Sequence, residues 1–120
     1  AQKIKQYVDE KSGCNVAVIV SDTQGRTWRV GAIGVSVGIS GMHPYTDFRG
    51  SFDLYGQELQ STIEATADEL ASAASLIMGQ ADSGMCLVLI RGYDLENIRC
   101  GVDDASISEI IREEESDAFR

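Results

Sequence analysis

The chain has 120 residues, a formal charge of −9, twelve glycines, one proline, three cysteines and one histidine. That length suits one domain with enough core to fold without staples, and no apolar run approaches the length needed to span a membrane. The acidic balance argues against broad nucleic-acid binding, the lone His43 excludes a multi-histidine zinc site, and the dispersed Cys14, Cys86 and Cys100 read as reduced thiols.

The first residues, Ala1-Gln2-Lys3-Ile4-Lys5, lack the apolar stretch of a secretory signal, so the expected setting is the cytoplasm. Ile4, Tyr7, Val8 and Lys11 recur at helical spacing, and Gly13 makes a natural stop. The apolar run Val16–Val20 then reads as a short buried strand, which gives an αβ unit.

Residues 21–29 read Ser-Asp-Thr-Gln-Gly-Arg-Thr-Trp-Arg and are expected to form a loop at the end of that strand. A carboxylate beside a hydroxyl suits a hard cation such as Mg²⁺. Arginines suit phosphate or carboxylate. The same residues also make a plain turn, with Asp22 bonding local backbone and Gly25 supplying positive φ. Both readings stay open on these nine residues.

Residues 32–41 alternate cleanly. Ile33, Val35, Val37 and Ile39 fall on one face, which is expected to be core. Ala32, Gly34, Ser36, Gly38 and Ser40 leave the other face nearly bare, so another backbone, a subunit or a ligand should come close there. Residues 42–58 look irregular; within them Asp47 and Arg49 could be an ion pair, a turn or site residues.

A helix is expected near residues 61–78, opened by a Ser61–Glu64 capping box and closed by Gly79. Its stripe is Ile63, Ala67, Leu70, Ala71, Ala74, Ile77 and Met78. Gln80–Gly84 reads as a polar loop, and Cys86–Ile90 as a buried central strand with Cys86 in the core. A last helix is expected from Ser106, with Glu109 completing another capping box and Ile107, Ile110 and Ile111 docking. The acidic stretch from Asp103 to Asp117 reads as solvated surface, with 112–120 as a frayed tail. No Walker-type phosphate loop is present.

Several segments, in order, carry a family resemblance: Val18-Ile-Val-Ser-Asp-Thr-Gln-Gly-Arg-Thr-Trp-Arg29, Gly34-Val-Ser-Val-Gly-Ile-Ser-Gly41, Asp47-Phe-Arg-Gly50, Asp53-Leu-Tyr-Gly56, Ala67-Asp-Glu-Leu-Ala71, Met78-Gly-Gln-Ala-Asp82 and Leu89-Ile-Arg-Gly92. Together they resemble the coenzyme F420-0:L-glutamate ligase family, the F420 γ-glutamyl ligases. The resemblance implies an α+β fold particular to that family, a mixed sheet packed with helices, of which this chain would be one half. It implies GTP- and divalent-metal-dependent joining of L-glutamate to F420-0, and a homodimer.

Asp22 and Thr23 match the family's Asp-Thr pair at a two-metal centre of Mg²⁺ or Mn²⁺, and Gln80 matches a further metal ligand. Potassium is a further candidate ion. Met78, Gly79, Gln80, Ala81, Asp82, Ser83, Gly84 and Met85 match the nucleotide-contacting loop. Arg26, Asp47 and Arg49 match other motif positions and are catalytic candidates without an assigned role. Family members are roughly twice as long as this chain. Residues 1–120 are therefore expected to be a single domain or a fragment corresponding to the C-terminal half, with the N-terminal half absent or on a separate chain. The competing readings are a non-catalytic binding or dimerisation module, favoured by the glycine-rich strand, and a related amide-forming enzyme with another anionic acceptor.

Overall fold

A computed structural model describes residues 1–94 and 105–117. The first helix, α1, runs Gln2–Ser12 and ends where Gly13 takes a left-handed conformation (φ 68°), its amide bonded to the Asp9 carbonyl. That glycine stop is the one its sequence predicts. Asp9 also accepts from the Val16 amide at 3.0 Å, and Lys5 binds Asp9 and Asn15, so the helix end and the following chain are tied together. Ile4 and Tyr7 stay exposed.

Strands β1 (Val18–Arg26) and β2 (Arg29–Ser40) form a long antiparallel hairpin. The expected loop at 21–29 is therefore mostly strand. Gln24 pairs with Ile33 and Gly25 with Ala32, and the turn is the two residues Thr27 and Trp28. Trp28, and not Gly25, takes the positive φ, at 63°. The ladder satisfies backbone groups up to Arg26, so the chain gains more by pairing than by turning early.

The register skips Val37: Val20 pairs with Gly38 and Ser21 with Ser36. This bulge lies where the second helix crosses. The expected inner face of β2 is the half-open one. Ile33 and Val35 are only half-buried and Val37 is exposed, although Ile39 packs at the core. Gly34 and Ser36 are the buried residues of this strand. A Cβ on Gly34 would stand 2.7 Å from the Ala71 carbonyl oxygen and 3.0 Å from Ser75 Cβ. The bare face of β2 thus receives a helix backbone of the same chain, one of the outcomes its composition predicts.

Helix α2 spans Thr66–Met78, starting later than the capping-box pattern suggests. Ile63–Glu64 instead form β4, antiparallel to β3 (Thr46–Asp47), and Ala65 caps the helix without a side-chain bond. The Ala67 amide donates to the Pro44 carbonyl at 2.9 Å, and the Thr46 and Thr66 hydroxyls meet at 2.6 Å. The Pro44 carbonyl thus takes over the capping of a first-turn amide, which frees Ile63 and Glu64 for the ladder. Met42, Ala67 and Ala71 form the buried apolar core of the described residues, with Ala17, Ile19, Ile39 and Leu70 packed around Met42 and Ala67. Ile63 and Ile77, placed in the apolar stripe, are largely exposed.

All strand pairs among the described residues are antiparallel, in two two-stranded sheets, so the fold is α+β without the expected mixed sheet. The Cys86–Ile90 run forms no strand among the described residues, and Cys86, Leu87, Leu89 and Ile90 are exposed. An apolar run reports a demand for burial; it does not supply the ladder that would meet it. Ser106 does cap a helical turn with Glu109 in a full capping box, but Ile107–Ile110 is a short 3-10 turn, and Ile111 stays exposed. Glu114–Ser116 forms another such turn. Cys100, Asp103, Asp104 and residues 118–120 lie outside the described residues. Among those described, no helix is long and apolar enough to cross a membrane.

Candidate functional site

Two segments 57 residues apart meet on the face of the hairpin that α2 covers: Thr23 Oγ1 donates to Gln80 Oε1 at 2.8 Å. Strand alternation and helix length bring this about. Thr23 lies opposite Gly34, on the face that α2 covers, and Gln80 follows directly after the helix stop at Gly79. The Gly79 amide donates to the Ser75 carbonyl at 3.0 Å, the Ser75 hydroxyl donates to the Ser72 carbonyl, and the Ser72 hydroxyl donates to the Gly34 carbonyl. Gln80 is therefore positioned by contacts that run back to the residue paired with Thr23.

Asp22 falls on the opposite strand face with Val35, and its Oδ1 accepts from the Thr23 amide at 2.7 Å. The three expected metal residues thus divide into a touching pair and a neighbour on the next strand position. Their donors are a carboxylate, a hydroxyl and an amide carbonyl, all hard oxygens that suit Mg²⁺ or Mn²⁺. Among the described residues no group of three or more His, Cys, Asp or Glu side chains could hold a metal. A cation at the Thr23–Gln80 contact would take those two oxygens first; Asp22, on the other strand face, would join it only by swinging off the Thr23 amide, with water or ligand oxygens completing the shell.

The expected nucleotide loop follows. Gly79 to Met85 are exposed and Met78 is half-buried. Gly79 and Gly84 both take positive φ, and the Ser83 hydroxyl donates back to the Met78 carbonyl. The loop is thereby folded on itself beside Thr23.

Asp47 and Arg49 form a forked ion pair with each other: Arg49 Nε lies 2.9 and 3.0 Å from the two carboxylate oxygens, and Nη2 2.5 Å from Oδ2. The plain ion-pair reading of these residues is the observed one. The Arg49 side-chain bonds, with help from its amide, lower the Asp47 pKa from 3.8 to about 2. Because the folded value is depressed, the pair's contribution is present above about pH 4 and is lost as the pH falls through about 2. Arg49→Gln should return the Asp47 carboxyl toward 3.8, readable by NMR titration of the side chain, with little change in stability at neutral pH because both groups are well exposed.

Arg26 stands across the hairpin turn from Arg29. Cys14 and Cys86 are free and exposed, and His43 lies 3.9 Å from Glu109. One contact that sequence reading did not anticipate is a clasp between α2 and β2: Asp68 Oδ1 accepts from the Ser36 amide at 2.8 Å and from its hydroxyl at 2.5 Å. In sequence, Asp68 is an ordinary first-turn acid, and its partner is 32 residues away.

The sequence model of the F420-0:Gamma-glutamyl ligase family matches residues 1–92. The chain is 49% identical over its whole length to the coenzyme F420:L-glutamate ligase of Methanothermobacter thermautotrophicus, 42% to that of Methanocaldococcus jannaschii and 40% to that of Archaeoglobus fulgidus. In each case it spans 46% of the relative, about half the length of the curated proteins it matches. By this match the chain belongs to the F420-0:gamma-glutamyl ligase family.

Proposed function

We propose that this chain supplies part of the metal- and nucleotide-binding site of a GTP-dependent ligase that joins L-glutamate to coenzyme F420-0. The observation that carries the reading is the Thr23–Gln80 contact, which brings two ordered motifs together at the foot of an exposed loop. Forming an amide from a carboxylate needs activation. The γ-phosphoryl group of GTP passes to the acceptor carboxylate, giving an acyl phosphate and GDP. The glutamate amine then attacks the acyl carbon, the C–O bond to phosphate breaks, and the amine gives up a proton. A bound divalent cation would neutralise charge on the triphosphate and the leaving phosphate. Thr23, Gln80 and Asp22 would hold it, and the loop from Met78 to Met85 would face the nucleotide.

The alternative of a dimerisation module drew on the glycine-rich face of β2. At Gly34 and Ser36 that face is packed against α2 of the same chain, which supports the ligase reading over that alternative. Homodimeric assembly, a cytoplasmic setting and a contribution from the rest of the relatives' length belong to the same proposal.

Calorimetric titration with Mn²⁺ and GTP tests the reading. Asp22→Ala and Gln80→Ala should each weaken Mn²⁺ binding by about tenfold or more while the thermal melt stays close to that of the parent, since both side chains are exposed. A well-folded Asp22→Ala ligase that keeps full metal-dependent turnover rejects the assignment.

A further inference from the structure

The tip of the β1–β2 hairpin holds two cations that no acid of the described residues engages. Arg26 and Arg29 are the last paired residues before the Thr27–Trp28 turn, and both are exposed. Directly opposed strand residues have side chains close enough to interact, and like charges there destabilise the pair. Acids outnumber basic residues in the chain by 19 to 10, so the lack of an acidic partner for either guanidinium is not for want of acids. Arg49, by contrast, is fully engaged by Asp47.

Trp28 sits between them, 90% exposed, in a left-handed conformation that a bulky side chain rarely adopts. Arg26 is three residues along the strand from Thr23, about 10 Å at the usual rise. We infer that Arg26 and Arg29 form an oxyanion clamp at the hairpin tip. It takes a carboxylate or phosphate group of a substrate that reaches along the Asp22 face of β1, the face on which strand alternation places Arg26. This inference rests on the ligase reading for its substrate class, a glutamyl carboxylate or a nucleotide phosphate. The geometry of the clamp itself does not depend on that reading. Guanidinium forks on two paired residues can each bind such an anion through paired N–H donors, and the bound charge would offset the repulsion expected between paired like charges.

Trp28 is the only tryptophan of the chain and so reports on the tip directly. Its fluorescence is titrated with inorganic triphosphate and, separately, with γ-glutamylglutamate, in the parent chain, Arg26→Gln, Arg29→Gln and the double variant. A response to triphosphate identifies the phosphate end, and a response to the dipeptide the carboxylate end. In either case the single variants should shift half-saturation by about tenfold, and the double variant should abolish the response. Their melting temperatures should equal or slightly exceed the parent's because repulsion is relieved.

The inference is overturned if neither anion changes Trp28 emission, if the variants respond like the parent, or if they melt well below it. The titration needs no turnover. Oxyanion binding at the tip in a ligase that joins no glutamate defeats the ligase reading and keeps the clamp; glutamate ligation with a silent tip does the reverse.

Discussion

Gly34→Ala is expected to destabilise the fold by about 1–2 kcal/mol, and Gly34→Val by more. Gly34 does not need positive φ, so the effect is one of space alone. The new methyl would meet the Ala71 carbonyl oxygen at 2.7 Å, and that oxygen is helix backbone that cannot swing aside. Overpacking of this kind costs about 1–3 kcal/mol. Against it, alanine reduces the freedom of the unfolded chain, worth about 0.4–1 kcal/mol. The steric cost is the larger, so the net sign is destabilising. Relief requires α2 to lift off β2, and Gln80 rides on the end of α2, so the Thr23–Gln80 contact should lengthen as well. Urea unfolding gives the first quantity. A fall in Mn²⁺ affinity, relative to a control on the exposed side of α2 such as Ala73→Ser, gives the second. A variant as stable as the parent would show that α2 does not press on β2 in solution.

The second large effect is expected at Asp68. Asp68→Ala should cost about 2–3 kcal/mol, because it strips the acceptor from both the amide and the hydroxyl of Ser36, a residue only 7% exposed. The lost carboxylate also stood in the first turn of α2, where negative charge is favourable. Asp68→Asn keeps a side-chain carbonyl at the Oδ1 position and should recover about half of the loss. Equilibrium denaturation of the two variants distinguishes the clasp from a general charge effect. Equal destabilisation by Ala and Asn would assign the effect to charge, whereas recovery in Asn assigns it to the hydrogen bonds.

Local pattern was a good guide wherever the deciding interaction was itself local. Helix α1 and its Gly13 stop, the Gly79 stop of α2, and the Ser106–Glu109 box are all formed by residues within a few positions of each other. The period-two alternation of residues 32–41 identified β2 and separated its bulky face from its bare one. It could not say which face is covered, because that depends on where α2 lies. The Ser61–Glu64 pattern misled for the same reason. A capping box competes with any ladder that distant residues offer, and Thr46–Asp47 offer one.

The site shows the same division. The residue types at Asp22, Thr23, Gln80, Arg26 and Arg29 follow from the sequence, and with them the hard-oxygen and oxyanion chemistry they can support. The Asp47–Arg49 pair was legible because its members are two residues apart. The sequence did not reveal that the Ser21–Arg29 segment is strand almost to its end, so that Asp22 and Thr23 point to opposite faces and the arginines oppose each other.

The chain by itself therefore determined its family, its short-range stops and caps, and the kinds of atoms its site can offer. Only the tertiary structure decided which strand face is buried, where α2 begins, and which site residues touch. These outcomes rest on hydrogen bonds and van der Waals limits between segments 32 to 57 residues apart, Asp68 on Ser36 and Gln80 on Thr23. No periodicity within a single segment encodes the position of another.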